Sequence, residues 1–111
     1  MSVPKYYEIH KPILKCLSDG QVHNMKEIKA YVIKYFQLKD EDIAALLPSG
    51  TQTYLSNRIG WAKTYLKKAG LIVNPVRATY QITEEGMKVV RDNPDVIDQK
   101  YLLRYDSFKE F

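Results

Sequence analysis

The sequence predicts one mainly α-helical domain carrying a small β-hairpin, on three observations. Residues 51–70 frame a long helix, two short β-prone runs follow it directly, and two helices and a shorter third precede it. With 45% hydrophobic residues, the 111-residue chain has the material for a modest core in one domain.

Ile9, Ile13, Cys16 and Leu17 mark a first helix with one buried face, ended at Ser18-Asp19-Gly20. Pro12 lies within it, so this helix either kinks there or starts near His10. Gln21 to His23 suit a very short strand. Asn24 followed by Glu27 reads as a capping box opening a second helix. In that helix Met25, Ile28, Val32, Tyr35 and Phe36 fall on one side, while Lys26, Lys29 and Lys34 fall largely outside it. Asp40-Glu41-Asp42 places acids in the first turn of a short helix reaching Leu47, and Pro48-Ser49-Gly50 stops it.

The long helix spans about residues 51–69, with Thr51 as its cap and Gly70 as the left-handed residue closing it. Leu55, Ile59, Ala62, Leu66 and Ala69 recur at steps of four and three and form its core stripe. The opposite face carries Thr53, Ser56, Asn57, Gly60, Thr64 and Lys67, with Gln52 and Lys63 on one flank and Lys68 on the other. Amides and hydroxyls toward the start, lysines toward the end and no carboxylate suit approach to a polyanion with bases at its centre. Gly60 costs about 1 kcal/mol against alanine in an exposed helix, which hints at close approach by DNA or by a neighbouring helix. Tyr54, Arg58, Trp61 and Tyr65 form a second stripe. Beside a core it reads as a packing edge for Trp61 and Tyr65, whereas Arg58 is suited either to a phosphate or to resting on Trp61.

Leu71-Ile72-Val73 and Thr79-Tyr80-Gln81-Ile82 are two β-prone runs joined by a proline-containing turn, which gives a wing over about residues 71–83. A helix pair whose second member leads into a hairpin is the winged helix-turn-helix arrangement. Arg77 stands at the wing tip, where it would reach a phosphate or minor groove. Thr83-Glu84-Glu85-Gly86 caps a further helix with Met87, Val90 and Val89 inward. A last short helix is expected from Asp95 to Arg104, so the C-terminal helices cover about residues 84–105. Phe108 and Phe111 make the final residues too apolar for a free tail.

Charge is unevenly distributed. Residues 43–83 carry five basic groups and no acidic one, whereas the segments on either side are nearly balanced. One cysteine excludes a disulfide framework and fits a reducing compartment, and no eighteen-residue apolar run exists, so a cytoplasmic location without membrane association is expected. His10 and His23, the only histidines, are read as surface residues, and no metal or other cofactor is expected. Two patterns match fragments of a metal-nuclease signature, Pro94-Asp95 with Asp98-Gln99-Lys100, and Glu27-Ile28-Lys29. The first has its halves too close together for separate strands, and the second lies in a helix ahead of any first half. Both are read as chance, and no catalytic residue is assigned.

Leu46-Leu47-Pro48-Ser49-Gly50, the run from Asn57-Arg58-Ile59-Gly60-Trp61 to Ala69-Gly70-Leu71, and Tyr80-Gln81-Ile82-Thr83-Glu84-Glu85-Gly86 closely resemble the N-terminal domain of Mrr-type (type IV) restriction endonucleases. The resemblance covers nearly the whole chain. It implies a winged-helix DNA-binding domain which, in the family, precedes a PD-(D/E)xK nuclease domain that cuts modified, typically methylated, DNA. One departure is Ala78, where the family often has glycine near the wing turn after an arginine.

The expectation is therefore a single domain over residues 1–111 that binds double-stranded DNA, methylated DNA included, but does not cut it, the nuclease domain being absent from this chain. Gln52, Thr53, Ser56 and Asn57 would lie nearest base edges, and Lys63, Lys67, Lys68 and Arg77 would neutralise phosphates, with Arg58 as a further candidate. The competing expectations are a winged-helix protein-interaction module, including a homodimer built on the aromatic stripe, and a transcriptional regulator.

Overall fold

The structure, a computed structural model, describes residues 3–111. Its helices are α1 (Tyr6–Leu17), α2 (Met25–Phe36), α3 (Asp40–Ala44), α4 (Tyr54–Lys68), α5 (Glu84–Asp92), α6 (Gln99–Leu102) and α7 (Asp106–Lys109). Three short strands, β1 (His23–Asn24), β2 (Ile72–Val73) and β3 (Thr79–Ile82), form an antiparallel sheet in the order β1-β3-β2. The register pairs His23 with Tyr80 and Ile72 with Ile82. This is a mainly helical winged helix-turn-helix, with the β2–β3 hairpin as the wing.

The core lies where α1 crosses α4 and α2. Ile9, Ile13, Leu14 and Leu17 meet Leu55, Ile59, Ala62 and Leu66 of α4, and Ile28 and Val32 of α2 close the remaining side. Helix α1 is buried on several faces, His10 and Pro12 included. It begins at Tyr6, and Pro12 remains inside it, so the alternative start near His10 is not taken. A helix surrounded in this way has no single apolar stripe, and His10, read from sequence as a surface residue, is fully buried. Its Nδ1 lies 2.6 Å from the Ile97 carbonyl oxygen, and burial pushes its pKa down from 6.5 to about 4, against the opposing effects of that hydrogen bond and of nearby Asp98.

Asn24 and Glu27 close the expected capping box at the start of α2, each side chain bonding the other's backbone at 2.9 Å. Tyr35, placed by its spacing on the apolar side of α2, is instead 41% exposed, because α2 is covered on the narrower side occupied by Ile28 and Val32.

The long helix starts later than expected. Residues 45–53 form a loop closed on itself, with Tyr54 N–H donating to the Ala45 carbonyl and Leu47 N–H to the Gln52 carbonyl, both at 2.9 Å. Thr51 therefore lies in the loop, and Thr53 is the cap, its hydroxyl accepting from Ser56 N–H at 3.1 Å. At the far end Gly70 is left-handed, with φ of 80°.

The last expected helix, residues 95–104, shrinks to the single turn of α6. The chain before it stays irregular, which buries Ile97 and brings its carbonyl to His10. The final residues form α7, which buries Phe108 and packs on α4. Among the described residues, no helix is long and apolar enough to cross a membrane.

Candidate nucleic-acid interface

Two stripes run along α4. The core stripe is Leu55, Ile59, Ala62 and Leu66. Moving two residues along, about 200° around the axis, gives Asn57, Trp61, Thr64 and Lys68 on the outward stripe. All four of the second set are partly or fully exposed. Trp61, expected to pack at the edge of the core, is therefore an outward residue. It is 50% exposed, with its indole tilted against Tyr65 at 6.0 Å between ring centres. Tyr65 does pack, against the rings of Tyr6, Phe108 and Phe111.

The polar candidates divide by what already holds them. Gln52 is exposed and accepts a 3.3 Å hydrogen bond from the Asn57 side-chain amide, so these two share one position at the helix start. The Thr53 hydroxyl is engaged in capping. Ser56 accepts from Lys29 Nζ at 3.4 Å, which brings a charge from α2 to the first turn of α4. The sequence places Lys29 only outside the apolar side of α2, and its position one residue after Ile28 of the apolar set is the signal for this neighbour.

Arg58 does not rest on Trp61, one of the two partners expected for it. Its guanidinium donates to the Val3 carbonyl at 2.8 Å and the Pro4 carbonyl at 3.3 Å, and lies 5.0 Å from the ring centre of Tyr54, not over Trp61. This cation ties the N-terminal segment to α4. Lys63 donates to the Tyr80 hydroxyl at 2.7 Å, linking α4 to the central strand of the sheet. Lys68 lies 5.3 Å from the ring centre of Phe111, and Lys67 and Arg77 are exposed.

Gly60 stands between Asn57 and Thr64 on this surface. A Cβ built there meets nothing within 4 Å, so no neighbouring helix requires the glycine. The Thr64 hydroxyl donates back to the Gly60 carbonyl at 2.9 Å, which keeps that stretch of the helix low.

Thr79 holds the wing turn. Its hydroxyl donates to the Val76 carbonyl at 2.6 Å and accepts from Val76 N–H at 3.1 Å, and the Asn74 amide donates to the Thr79 carbonyl at 2.7 Å. Ala78 takes φ of 61°, the left-handed conformation that glycine adopts without cost. The departure from glycine is thus absorbed with the turn intact, at a cost of about 1 kcal/mol.

Two of the three carboxylates in the nuclease-like patterns serve the backbone. Glu27 is part of the α2 cap, and Asp98 accepts from Tyr101 N–H at 2.9 Å to cap α6. Asp95 is exposed in the preceding connection.

The family described as Mrr N-terminal domain matches residues 6–92. The "Type IV methyl-directed restriction enzyme EcoKMrr" of Escherichia coli (strain K12) is 28% identical over 103 residues, which cover 90% of this chain. The chain spans about a third, 33%, of that relative's length. No solved structure matches. The matched span takes in every element from α1 through α5, the long helix and the wing among them, and on that ground the chain belongs to the Mrr N-terminal domain family.

Proposed function

We propose that this chain is the DNA-binding part of a restriction-system protein, engaging double-stranded DNA through α4 and the wing without itself cutting it. The observation that carries this reading is the acid-free segment, residues 43–83, which supplies both α4 and the wing and holds five cations. A surface helix in a mixed-charge protein normally interleaves acids. Their absence over forty-one consecutive residues leaves α4 and the wing with cations and no carboxylate of their own.

In this reading the N-terminal half of α4 enters the major groove. Gln52, Ser56 and Asn57 lie nearest base edges, while Lys63, Lys67, Lys68 and Arg77 face phosphates. The Thr53 hydroxyl is left to its cap, and Arg58 to the N-terminal segment. Lys29 joins the phosphate-facing set through its place beside Ser56. The catalytic step would belong to a nuclease domain outside this chain. The name of the E. coli relative makes methylated duplexes the first ligands to compare with unmodified ones.

The test is fluorescence anisotropy on matched methylated and unmethylated duplexes across a salt series. Neutralising one phosphate with each of the five phosphate-facing cations gives a slope of log affinity against log salt of about −4.5, from roughly −0.9 per contact. A slope near zero, or a solution mass showing a stable dimer with α4 buried, would sink the reading in favour of a protein-interaction module.

A further inference from the structure

The outward stripe of α4 holds one large apolar side chain among polar ones. Trp61 stands at its centre, one turn after Asn57 and one turn before Thr64, with Lys68 beyond. Half of the residue faces solvent, and the rest is braced by Tyr65, whose own ring is fixed among Tyr6, Phe108 and Phe111. Next to it, Gly60 has no Cβ and open space around it, and the Thr64 hydroxyl is turned back onto the helix. The result is a cationic helix face on which a half-exposed indole, leaning on Tyr65, follows directly after a residue with no side chain.

We infer that Trp61 and Gly60 form a seat for the C5-methyl group of a pyrimidine in the major groove. The inference rests on the DNA-binding reading above and names what α4 detects there. The base faces of a duplex are hidden in the stack, and the edges on the groove floor are polar except for one group, the pyrimidine 5-methyl. An indole aimed at that floor has no other apolar partner. Two bases carry the group, thymine and 5-methylcytosine, and the seat takes either.

Trp61 is the only tryptophan, so its emission reports this site alone. The experiment titrates the 111-residue chain with labelled duplexes in three forms: thymine-containing, the same with uracil replacing thymine, and the same with 5-methylcytosine replacing cytosine. Anisotropy measures binding, and tryptophan emission measures burial of the indole. Binding is expected to shift the emission, and each seated methyl removed should weaken affinity about fourfold.

The uracil arm identifies thymine as the source, and the methylcytosine arm identifies the modified base. Trp61→Ala should abolish the methyl preference while keeping the salt slope, and Trp61→Phe should keep part of the preference. Binding without an emission change, equal affinities across the three duplex forms, or a preference surviving in Trp61→Ala would each overturn the seat and leave the DNA reading standing. No binding to any duplex at low salt would overturn both. A change in solution mass on Trp61→Ala would assign the indole to a second copy of the chain instead.

Discussion

Helices α4 and α5 begin alike and then diverge. Thr53 and Thr83 each accept from the N–H three residues on, both at 3.1 Å. After that cap α5 places Glu84 and Glu85 in its first turn, where they complement the helix dipole, whereas α4 has no acid there. Each helix also contains a glycine. A Cβ on Gly86 would overlap the Leu71 carbonyl oxygen and press on Ile82 at 2.6 Å, while a Cβ on Gly60 would enter open space. In α5 both the first-turn acids and the glycine are explained by the fold around them. In α4 both the omitted acid and the glycine forgo stability that the fold would accept, and the protein's own contacts give no reason for either.

The largest effect should come from the α5 side. Gly86→Ala should cost about 3 kcal/mol, because the added methyl meets backbone and cannot be accommodated by a side-chain rotation. Thermal unfolding checks it, and an unchanged midpoint would show that α5 can shift away from β2.

Acid tests the packing beneath both helices, since His10 joins Tyr65 of α4, at 6.3 Å between ring centres, to the segment following α5. Burial lowers its folded pKa to about 4, below the unfolded 6.5, so between those values the unfolded chain takes up a proton that the folded chain refuses. This contribution is complete above pH 6.5 and is lost as the pH falls toward 4, by about 2 kcal/mol at pH 5. Melting at pH 7 and pH 5 should show the loss, with His10→Phe reducing the difference. An equal pH dependence in both proteins would assign the loss to other groups.

Giving α4 the acid that α5 has should separate stability from binding. Ser56→Glu completes a capping box with Thr53 and faces Lys29, so the helix should gain about 0.5 kcal/mol. The same carboxylate faces the proposed DNA surface, and affinity should fall about tenfold. If affinity holds, the first turn of α4 does not meet DNA. Gly60→Ala is the mildest case: it should stabilise the domain by about 0.5–1 kcal/mol and weaken duplex binding. Improved stability with unaltered binding would show that nothing approaches that turn.

These contrasts also mark what was legible in the residues. The core stripe of α4 and the alternation of Thr79–Ile82 were readable because periodicity reports burial directly. The Thr83 cap was equally plain, because the acids that follow it leave one place to start. The start of α4 was not, since Thr51 and Thr53 are chemically equivalent caps and the choice is made by the Ala45–Tyr54 and Leu47–Gln52 hydrogen bonds of the loop. Burial of His10 was hidden because α1 is enclosed on several faces, where a one-sided pattern is uninformative. For the proposed interface, composition pointed to α4 and the wing. Which side chains already have partners, as with Arg58 on the Val3 and Pro4 carbonyls, depends on contacts across more than fifty residues.

The strand order has a consequence for the timing of synthesis. Strand β1 precedes α4, yet its partner is β3, so His23 waits for Tyr80, and His10 waits for Ile97. A ribosome that has just released α4 has made every residue of that helix but not the sheet that sets the wing beside it, nor the Phe108 that steadies Tyr65. Contacts spanning such long stretches form late and together. The positive surface should therefore be completed only after nearly the entire chain has emerged, and a nascent chain truncated before β3 should present α4 without a fixed orientation.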